Sequence, residues 1–300
     1  RDLHSFPTRR SSDLTRGVRQ GCPLSPLLYI LALEPLGCAL RADPTIKGIK
    51  LPGGTEARVS MYADDTTLIL SDDRSIVNSF RLIRRYELAY GAKLNQQKTC
   101  GVYLGKWRNR LSGPVDIRWA TSVKIVGIPL GYNNFLCKIW EDKINMIKNE
   151  ISIWQNEGED ISMKGRVEVI NTYVLSKIWF LAEVAPPPNE YVREINTLIF
   201  RYIWGSRFEY VNRKTMFLSP QQGGMGVVDI ESKMAAMHLI HVGDIVSGRK
   251  AKWIDLAKYW CAFSLRDIDP SFVRVNCPLS LFPPHFYDLV LSSFRNLRDD

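Results

Sequence analysis

The sequence predicts an α+β chain, strand-bearing over its first 130 or so residues and helical beyond them. Two observations point there. Short runs of strand-forming residues, separated by turn punctuation, crowd the region between Ile46 and Leu130. From about Asn134 onward, apolar residues recur instead at helical spacing. The chain has 300 residues, 45% hydrophobic and 24% charged, which is the composition of an ordinary globular protein able to bury a sizeable core. No run approaches the roughly 18 uninterrupted apolar residues of a membrane span, so no membrane partner is expected.

Taken in order, Thr15–Pro26 reads as a Gly- and Pro-bearing loop, and Ser25-Pro26 opens a helix, Ser as N-cap and Pro at the first helical position. The helix continues through LLYILALEPLGCAL, with a kink expected at Pro35. Ile46–Leu51 and Ala57–Tyr62 follow as strands around Pro52-Gly53-Gly54, and Thr66–Leu70 as a third after Ala63-Asp64-Asp65. Ile76, Phe80, Ile83, Glu87 and Tyr90 mark one face of a helix that ends near Gly91. Short strands are expected at Gly101–Leu104 and Val123–Leu130. Beyond these come a helix striped by Trp140, Ile144, Ile147, Ile151 and Trp154, then helices at Ser162–Val184, Asn189–Trp204 and Ser232–Val246. Pro186-Pro187-Pro188 and the glycines at 223, 224 and 226 punctuate them. The tryptophan stripe is assigned to helix core rather than to a base-stacking surface.

His4–Leu14 reads HSFPTRRSSDL and resembles the conceptual translation of a sequencing-library adapter. It has neither an apolar core nor an amphipathic Arg/Ser pattern, so no targeting role is read from it and residues 1–14 are set aside as non-native. Six cysteines, at 22, 38, 100, 137, 261 and 277, show no C-x-x-C spacing, which argues against a zinc site and a disulfide scaffold. His238 and His241 have no companion ligands in sequence.

The net charge of +9 is unevenly placed. Residues 15–135 hold 17 Lys and Arg against 9 Asp and Glu, whereas residues 136–235 hold 12 against 13. Such a surplus suits a polyanion, because phosphates attract Lys and Arg and release counterions on binding. The same basic segment contains Val59-Ser60-Met61-Tyr62-Ala63-Asp64-Asp65-Thr66-Thr67-Leu68-Ile69-Leu70, two adjacent acids between strand formers. In a continuous strand these side chains would point to opposite faces; at a tight turn they can converge. Converged carboxylates repel unless a divalent cation neutralises them, and Mg²⁺ favours one or two carboxylates plus phosphate oxygens. The dipeptide alone is more often the mark of a plain exposed acidic turn.

Tyr62-Ala63-Asp64-Asp65 between hydrophobic strands resembles the metal-binding motif of reverse transcriptases. Arg16-Gly17-Val18-Arg19-Gln20-Gly21-Cys22-Pro23-Leu24-Ser25-Pro26-Leu27-Leu28 resembles the preceding block of that family. Leu94-Asn95-Gln96-Gln97-Lys98-Thr99 resembles its lysine-bearing block, and Val126-Gly127-Ile128-Pro129-Leu130-Gly131 the block after it. The wording RQGCPLSPLL is closest to LINE-type (non-LTR) retrotransposons. Resemblance continues through Ser162–Val167, Asn171–Trp179, Ile195–Trp204, Arg213 and Gly223–Gly226, so that it covers about residues 15–240.

The resemblance implies a partial polymerase palm over 15–135, an antiparallel sheet backed by helices. A helical thumb-like region over 136–235 and a helical tail of unknown role over 236–300 complete the expected organisation. It implies an RNA template, a DNA primer and dNTPs as partners and two Mg²⁺ or Mn²⁺ ions as cofactors. Asp64 and Asp65 would hold the metals and Lys98 would meet the triphosphate. Arg16 and Arg19 would contact phosphates, Gln20 and Gly21 would lie beside the nascent base pair, and Ser25 and Tyr62 would join the nucleotide and template surface. The family takes a further carboxylate from a strand upstream of the Gln-Gly block, where this sequence has only the adapter-like residues. The chain therefore reads as N-terminally truncated and inactive alone. Asp72 cannot substitute, lying seven residues past Asp65, about 23 Å along an extended strand. The alternatives are a non-catalytic nucleic-acid-binding remnant and a helical interaction module centred on residues 136–300.

Overall fold

The computed structural model describes residues 21–51, 54–131, 135–157, 161–249, 251–265 and 285–299. The chain forms two compact units, the first ending at Gly131 and the second starting at Tyr132. Among the described residues the first mixes helices and strands and the second is all helical.

Helix α1 (Ser25–Ala42) begins one residue earlier than the capping pattern predicts: Leu24 is the N-cap and Pro26 sits inside the first turn, where a missing N–H leaves no hydrogen bond unmade. The helix runs on through Pro35. Strands β1 (Ile49–Lys50) and β2 (Glu56–Ala57) pair antiparallel, and β3 (Val59–Tyr62) with β4 (Asp65–Leu68) forms a second ladder. The single run expected over Ala57–Tyr62 is divided at Arg58. Its guanidinium donates to the carbonyls of Arg41 (2.8 Å) and Asp43 (2.9 Å) and pairs with Glu56, so the backbone turns there to follow the side chain into the end of α1. Ile46, expected in a strand, is instead a core residue of the preceding loop, 1% exposed.

Helix α2 (Asp73–Tyr90) is capped by Asp72, which accepts from Ser75 N–H at 2.7 Å, and ends on Gly91 in the left-handed region at φ +70°. Strand β5 (Cys100–Val102) pairs in parallel with β6 (Arg118–Ala120), a strand the sequence did not signal. Trp119 explains the pairing: its ring stacks on Tyr103 at 4.4 Å, and a Cβ at Gly101 or Gly113 would stand 2.6 or 2.1 Å from it. The run expected at Val123–Leu130 is a hairpin, β7 (Ser122–Ile125) and β8 (Ile128–Gly131), folded about Val126 (φ +49°) and Gly127 (φ +80°). Both turn residues take positive φ, as a type I′ turn requires. Among the described residues the strands thus form four two-stranded ladders, one of them parallel, rather than a continuous antiparallel sheet. Their core is small: Leu36, Leu40 and Ile46, against which Val59, Leu68, Leu82, Ile83 and Tyr86 pack.

The second unit comprises α3 (Phe135–Glu157), α4 (Met163–Val169), α5 (Ser176–Val184), α6 (Asn189–Trp204), α7 (Arg213–Phe217), α8 (Ile230–Val246), α9 (Lys252–Leu265) and α10 (His285–Asp299). Trp140, Ile144, Ile147 and Ile151 are buried along α3, and Trp140 Nε1 donates to Ala185 O at 2.9 Å, so this stripe is core. The helix expected over Ser162–Val184 is interrupted by a π turn at Ile170–Val174. There the Asn171 amide donates to Gly226 O (2.9 Å) and accepts from Val228 N–H (3.1 Å), fastening the glycine-rich turn to the helix pair. No described helix is long and apolar enough to cross a membrane.

Candidate active site

Tyr62 pairs directly with Asp65, so the β3–β4 connection is a two-residue loop made of Ala63 and Asp64. Two-residue hairpins need positive φ at the first loop position, and Ala63 supplies it at +50°. A residue with a Cβ is strained there by roughly 1–2 kcal/mol. The reversal falls on the acidic pair: Asp64 closes the loop and Asp65 starts β4, both exposed, with Tyr62 66% exposed beside them. The two acids are therefore not on opposite faces of an uninterrupted strand.

Helix α1 backs the hairpin. Gly37 lies so close to β3 that a Cβ there would stand 2.8 Å from Met61 Sδ. Tyr29, two turns earlier on the helix, has its hydroxyl pKa pushed up first by burial and then by the negative charge of Asp64, which places Asp64 within electrostatic reach of α1. Tyr86 of α2 donates to Ala32 O at 2.8 Å and stacks on Tyr90 at 4.5 Å, holding the second helix against the first. The motif reading overlooked Tyr29 and Tyr86. The i, i+4, i+8 spacing of Tyr29, Leu33 and Gly37 could have pointed to a face shared with the hairpin.

The other described site residues lie on other segments of the unit. Lys98 is exposed on a turn in which its N–H donates to Asn95 O (3.2 Å) and Oδ1 (3.1 Å). The same segment is tied to α2 through Leu94 N–H on Glu87 Oε1 at 2.6 Å. Gly21 sits in the left-handed region at φ +88°, which glycine adopts freely, and among the described residues no atom lies within 4 Å of where a Cβ would be. Ser25 is buried in the first turn of α1, its N–H on Cys22 O at 3.1 Å. The exposed Cys22 thiol has its pKa lowered by the Leu24 N–H and the Ser25 hydroxyl. Arg16, Arg19, Gln20 and the adapter-like residues 1–14 lie outside the described residues. Asp72 is committed to capping α2.

Among the described residues no three His, Cys, Asp or Glu side chains gather into a metal-binding group, whether at Asp64–Asp65 or around His238 and His241. The donor set at the hairpin is two exposed carboxylates on one tight turn. That fits Mg²⁺ as a partial set, since this ion completes its shell with water and substrate phosphate oxygens.

Residues 2–130 match the family described as reverse transcriptase (RNA-dependent DNA polymerase), a range that takes in α1, the acidic hairpin, α2 and the later strands as well as the adapter-like stretch. Over that range the chain is similar to reverse transcriptases.

Particular relatives extend the match. The Transposon TX1 uncharacterized 149 kDa protein of Xenopus laevis is 28% identical over 253 residues, 83% of this chain and 19% of that protein, so this similarity reaches into the helical unit. The Retrovirus-related Pol polyprotein from type-1 retrotransposable element R2 of Popillia japonica is 32% identical over 89 residues, 30% of this chain and 12% of that one. The chain spans less than a fifth of either relative's length.

Proposed function

We propose that this chain supplies the acid-bearing part of an RNA-directed DNA polymerase, in which Asp64 and Asp65 hold the metal ions for nucleotidyl transfer onto a primer 3′-hydroxyl. The observation that carries the reading is the chain reversal at Ala63–Asp64, set on α1 and lying within the family match. When bound, Mg²⁺ or Mn²⁺ supplies activation of the attacking oxygen and stabilisation of the leaving one. The chain's own residues orient and neutralise. Tyr62 borders the primer and nucleotide, and Lys98 brings positive charge, or a proton, to the departing pyrophosphate. Gln20 and Gly21 flank the nascent pair, Arg16 and Arg19 take backbone phosphates, and Ser25 supports this surface from the first turn of α1. RNA template, DNA primer and dNTP are the substrates.

The polypeptide assayed alone gives no primer extension, because two carboxylates fall short of a two-metal ligand set and the described residues bring no third acid to them. The test joins the acid-bearing upstream region of a reverse transcriptase of this kind ahead of Thr15 and measures Mg²⁺-dependent extension on an RNA template. Extension by the fusion should fall about a hundredfold or more in Asp64→Asn and in Asp65→Asn, since each ligand serves a term of several kcal/mol. Fusion activity that survives both changes removes these acids from the chemistry. Robust extension by the unfused chain removes the inactivity.

A second reading rests on the surplus of Lys and Arg over residues 15–135: a non-catalytic module that holds RNA or DNA. Salt-dependent binding that survives both Asp substitutions, together with an inert fusion, would favour it.

A further inference from the structure

Helix α2 turns Leu82, Ile83 and Tyr86 toward the core of its unit, and its opposite face carries Arg74, Val77, Arg81, Arg85 and Leu88. Two of these are aliphatic yet open to solvent, Val77 at 38% and Leu88 at 80% exposure. Toward the N-terminal end of the helix the same face borders an open cavity of about 370 Å³. Arg74, Val77, Asn78 and Arg81 line it from the helix, together with Thr45 and Pro114. Arg74 and Arg81 are seven residues apart, about 10 Å along the helix axis, with Val77 and Asn78 between them. Asn78 is only 8% exposed; its Nδ2 donates to Thr45 O at 3.4 Å, while its Oδ1 accepts no hydrogen bond among the described residues.

The acids near this face are already engaged. Asp73, the one carboxylate among the described lining residues, is held by both terminal nitrogens of Arg110 at 3.0 and 2.9 Å. Asp43 accepts from the Thr45 N–H and hydroxyl, and among charges Arg58 acts on it ahead of Arg81. Glu87 accepts from Leu94 N–H and lies 3.7 Å from Arg84. Arg74, Arg81 and Arg85 are in no ion pair among the described residues. The face therefore has positive charge to match, and guanidinium forks match carboxylates well. The aliphatic side chains set among the arginines call for apolar partners as well. Nucleic acid fits less well: no aromatic ring is among the described lining residues for a base to stack on, and a phosphate backbone would leave Val77 and Leu88 uncovered.

We propose that the outward face of α2 is a docking surface for an acidic amphipathic segment of a partner protein, with carboxylates on Arg74 and Arg81 and an apolar side chain between them on Val77. A helical segment lying along α2 meets these points with acids seven residues apart and a leucine midway. Leu88 extends the apolar contact toward the C-terminal end of α2, and Asn78 Oδ1 is free to accept a polar hydrogen from the segment. The polymerase reading asks nothing of this face.

The test uses the whole chain and fluorescence anisotropy with a labelled twenty-residue peptide of that pattern, glutamates seven apart and leucines midway on the same helical face. The wild type should bind it in the micromolar range. Companion peptides with glutamine for glutamate, or serine for leucine, should bind about fivefold less tightly or worse. Arg74→Gln with Arg81→Gln should weaken the parent peptide by about five- to tenfold and erase the preference for glutamate over glutamine. Arg74→Lys with Arg81→Lys should keep that preference, which separates loss of charge from loss of fold. Val77→Ser with Leu88→Ser should erase the preference for leucine over serine and leave the glutamate preference in place. Labelled oligouridylate, titrated in parallel, should lose less than about twofold in the glutamine variant. Asp64→Asn with Asp65→Asn should bind the peptide as the wild type does, so the outcome stands apart from that of the polymerase reading. Absence of peptide binding, equal binding of the three peptides, or unchanged affinity in the glutamine variant each overturns the proposal. An oligouridylate loss that matches the peptide's in that variant assigns the face to nucleic acid and overturns it too.

Discussion

In the helical unit Trp140, Ile147, Ile195, Ile199 and Phe200 are buried to within about 1% and belong to one large cluster running from α3 to α8. In the strand-bearing unit three residues, Leu36, Leu40 and Ile46, form the buried cluster, while Leu24, Leu27, Leu28, Ile30 and Leu31 stand exposed along the first turns of α1. The two units are held by different forces. Burial of apolar surface carries the second. The first relies more on directional contacts: Arg58 on the carbonyls of Arg41 and Asp43, Tyr86 on Ala32, and Arg110 in a two-pronged pair with Asp73 at 3.0 and 2.9 Å, its guanidinium also 4.7 Å from the ring centroids of both Tyr103 and Trp107. The unit with the acidic hairpin and the charge surplus is thus the less self-sufficient in packing, and the two should respond differently to mutation, acid and salt.

The largest difference should appear on truncating core against surface apolar groups. Phe200→Ala should lower unfolding free energy by about 3–5 kcal/mol, read from the denaturant midpoint. Leu31→Ala should stay within about 0.5 kcal/mol and improve solubility. A loss above 2 kcal/mol at Leu31 would mean that the face is covered, and the contrast would fail.

Acid should strike the helical unit. His238 on α8 is 3% exposed, and its pKa is lowered first by burial and then by His241, against the opposing influence of Glu183. His241 Nε2 lies 3.2 Å from Glu183 Oε1 without hydrogen-bond alignment. Because the folded pKa lies below the unfolded one, the unfolded chain binds more protons between the two values. The stabilisation is complete above the unfolded value of about 6.5 and is lost as pH falls through the folded one. Thermal melts from pH 7 to 5 should show the decline, and His238→Gln should flatten it; an unchanged slope in that variant assigns the decline elsewhere.

Salt should act on the first unit. The Arg110–Asp73 pair is 35% and 42% exposed, so Arg110→Ala should cost only about 1 kcal/mol, and less in high salt. Hydrogen exchange of β5 and β6 would report it; equal loss in 1 M salt assigns the effect to stacking on Tyr103 and Trp107 instead. Smallest of all, Ala63→Gly should relieve the strained loop and gain at most about 1 kcal/mol, offset by the added freedom of the unfolded chain. A loss of stability there would remove the strain from the account of the hairpin.

Sequence periodicity located α2, α3, α6 and α8, but did not place α9 or α10. α2 and α6 end on Gly91 and Gly205, both left-handed, and the apolar stripe of α3 is buried as its spacing implies. What escaped was local structure set by contacts distant in sequence: β6, which depends on Trp119 filling the space left by Gly101 and Gly113, and the π turn, which Asn171 ties to Gly226 across 55 residues. The short helix α7 carries too few residues for a period to show. At the site, the acidic turn was visible as two acids between strand formers. The Tyr29–Asp64 proximity was not, because it depends on how α1 lies across β3. The exposed rings of Phe208 and Tyr210 drew no reading, since exposure has no signature in a lone sequence.

The central claim is that Asp64 and Asp65 share a divalent cation at the Ala63–Asp64 reversal, and Mn²⁺ titration followed by amide NMR tests it most directly. Paramagnetic broadening should begin at Tyr62–Thr66 and Tyr29 and be abolished in Asp64→Asn with Asp65→Asn. Broadening that starts elsewhere, or persists at the hairpin in the double variant, would contradict the account.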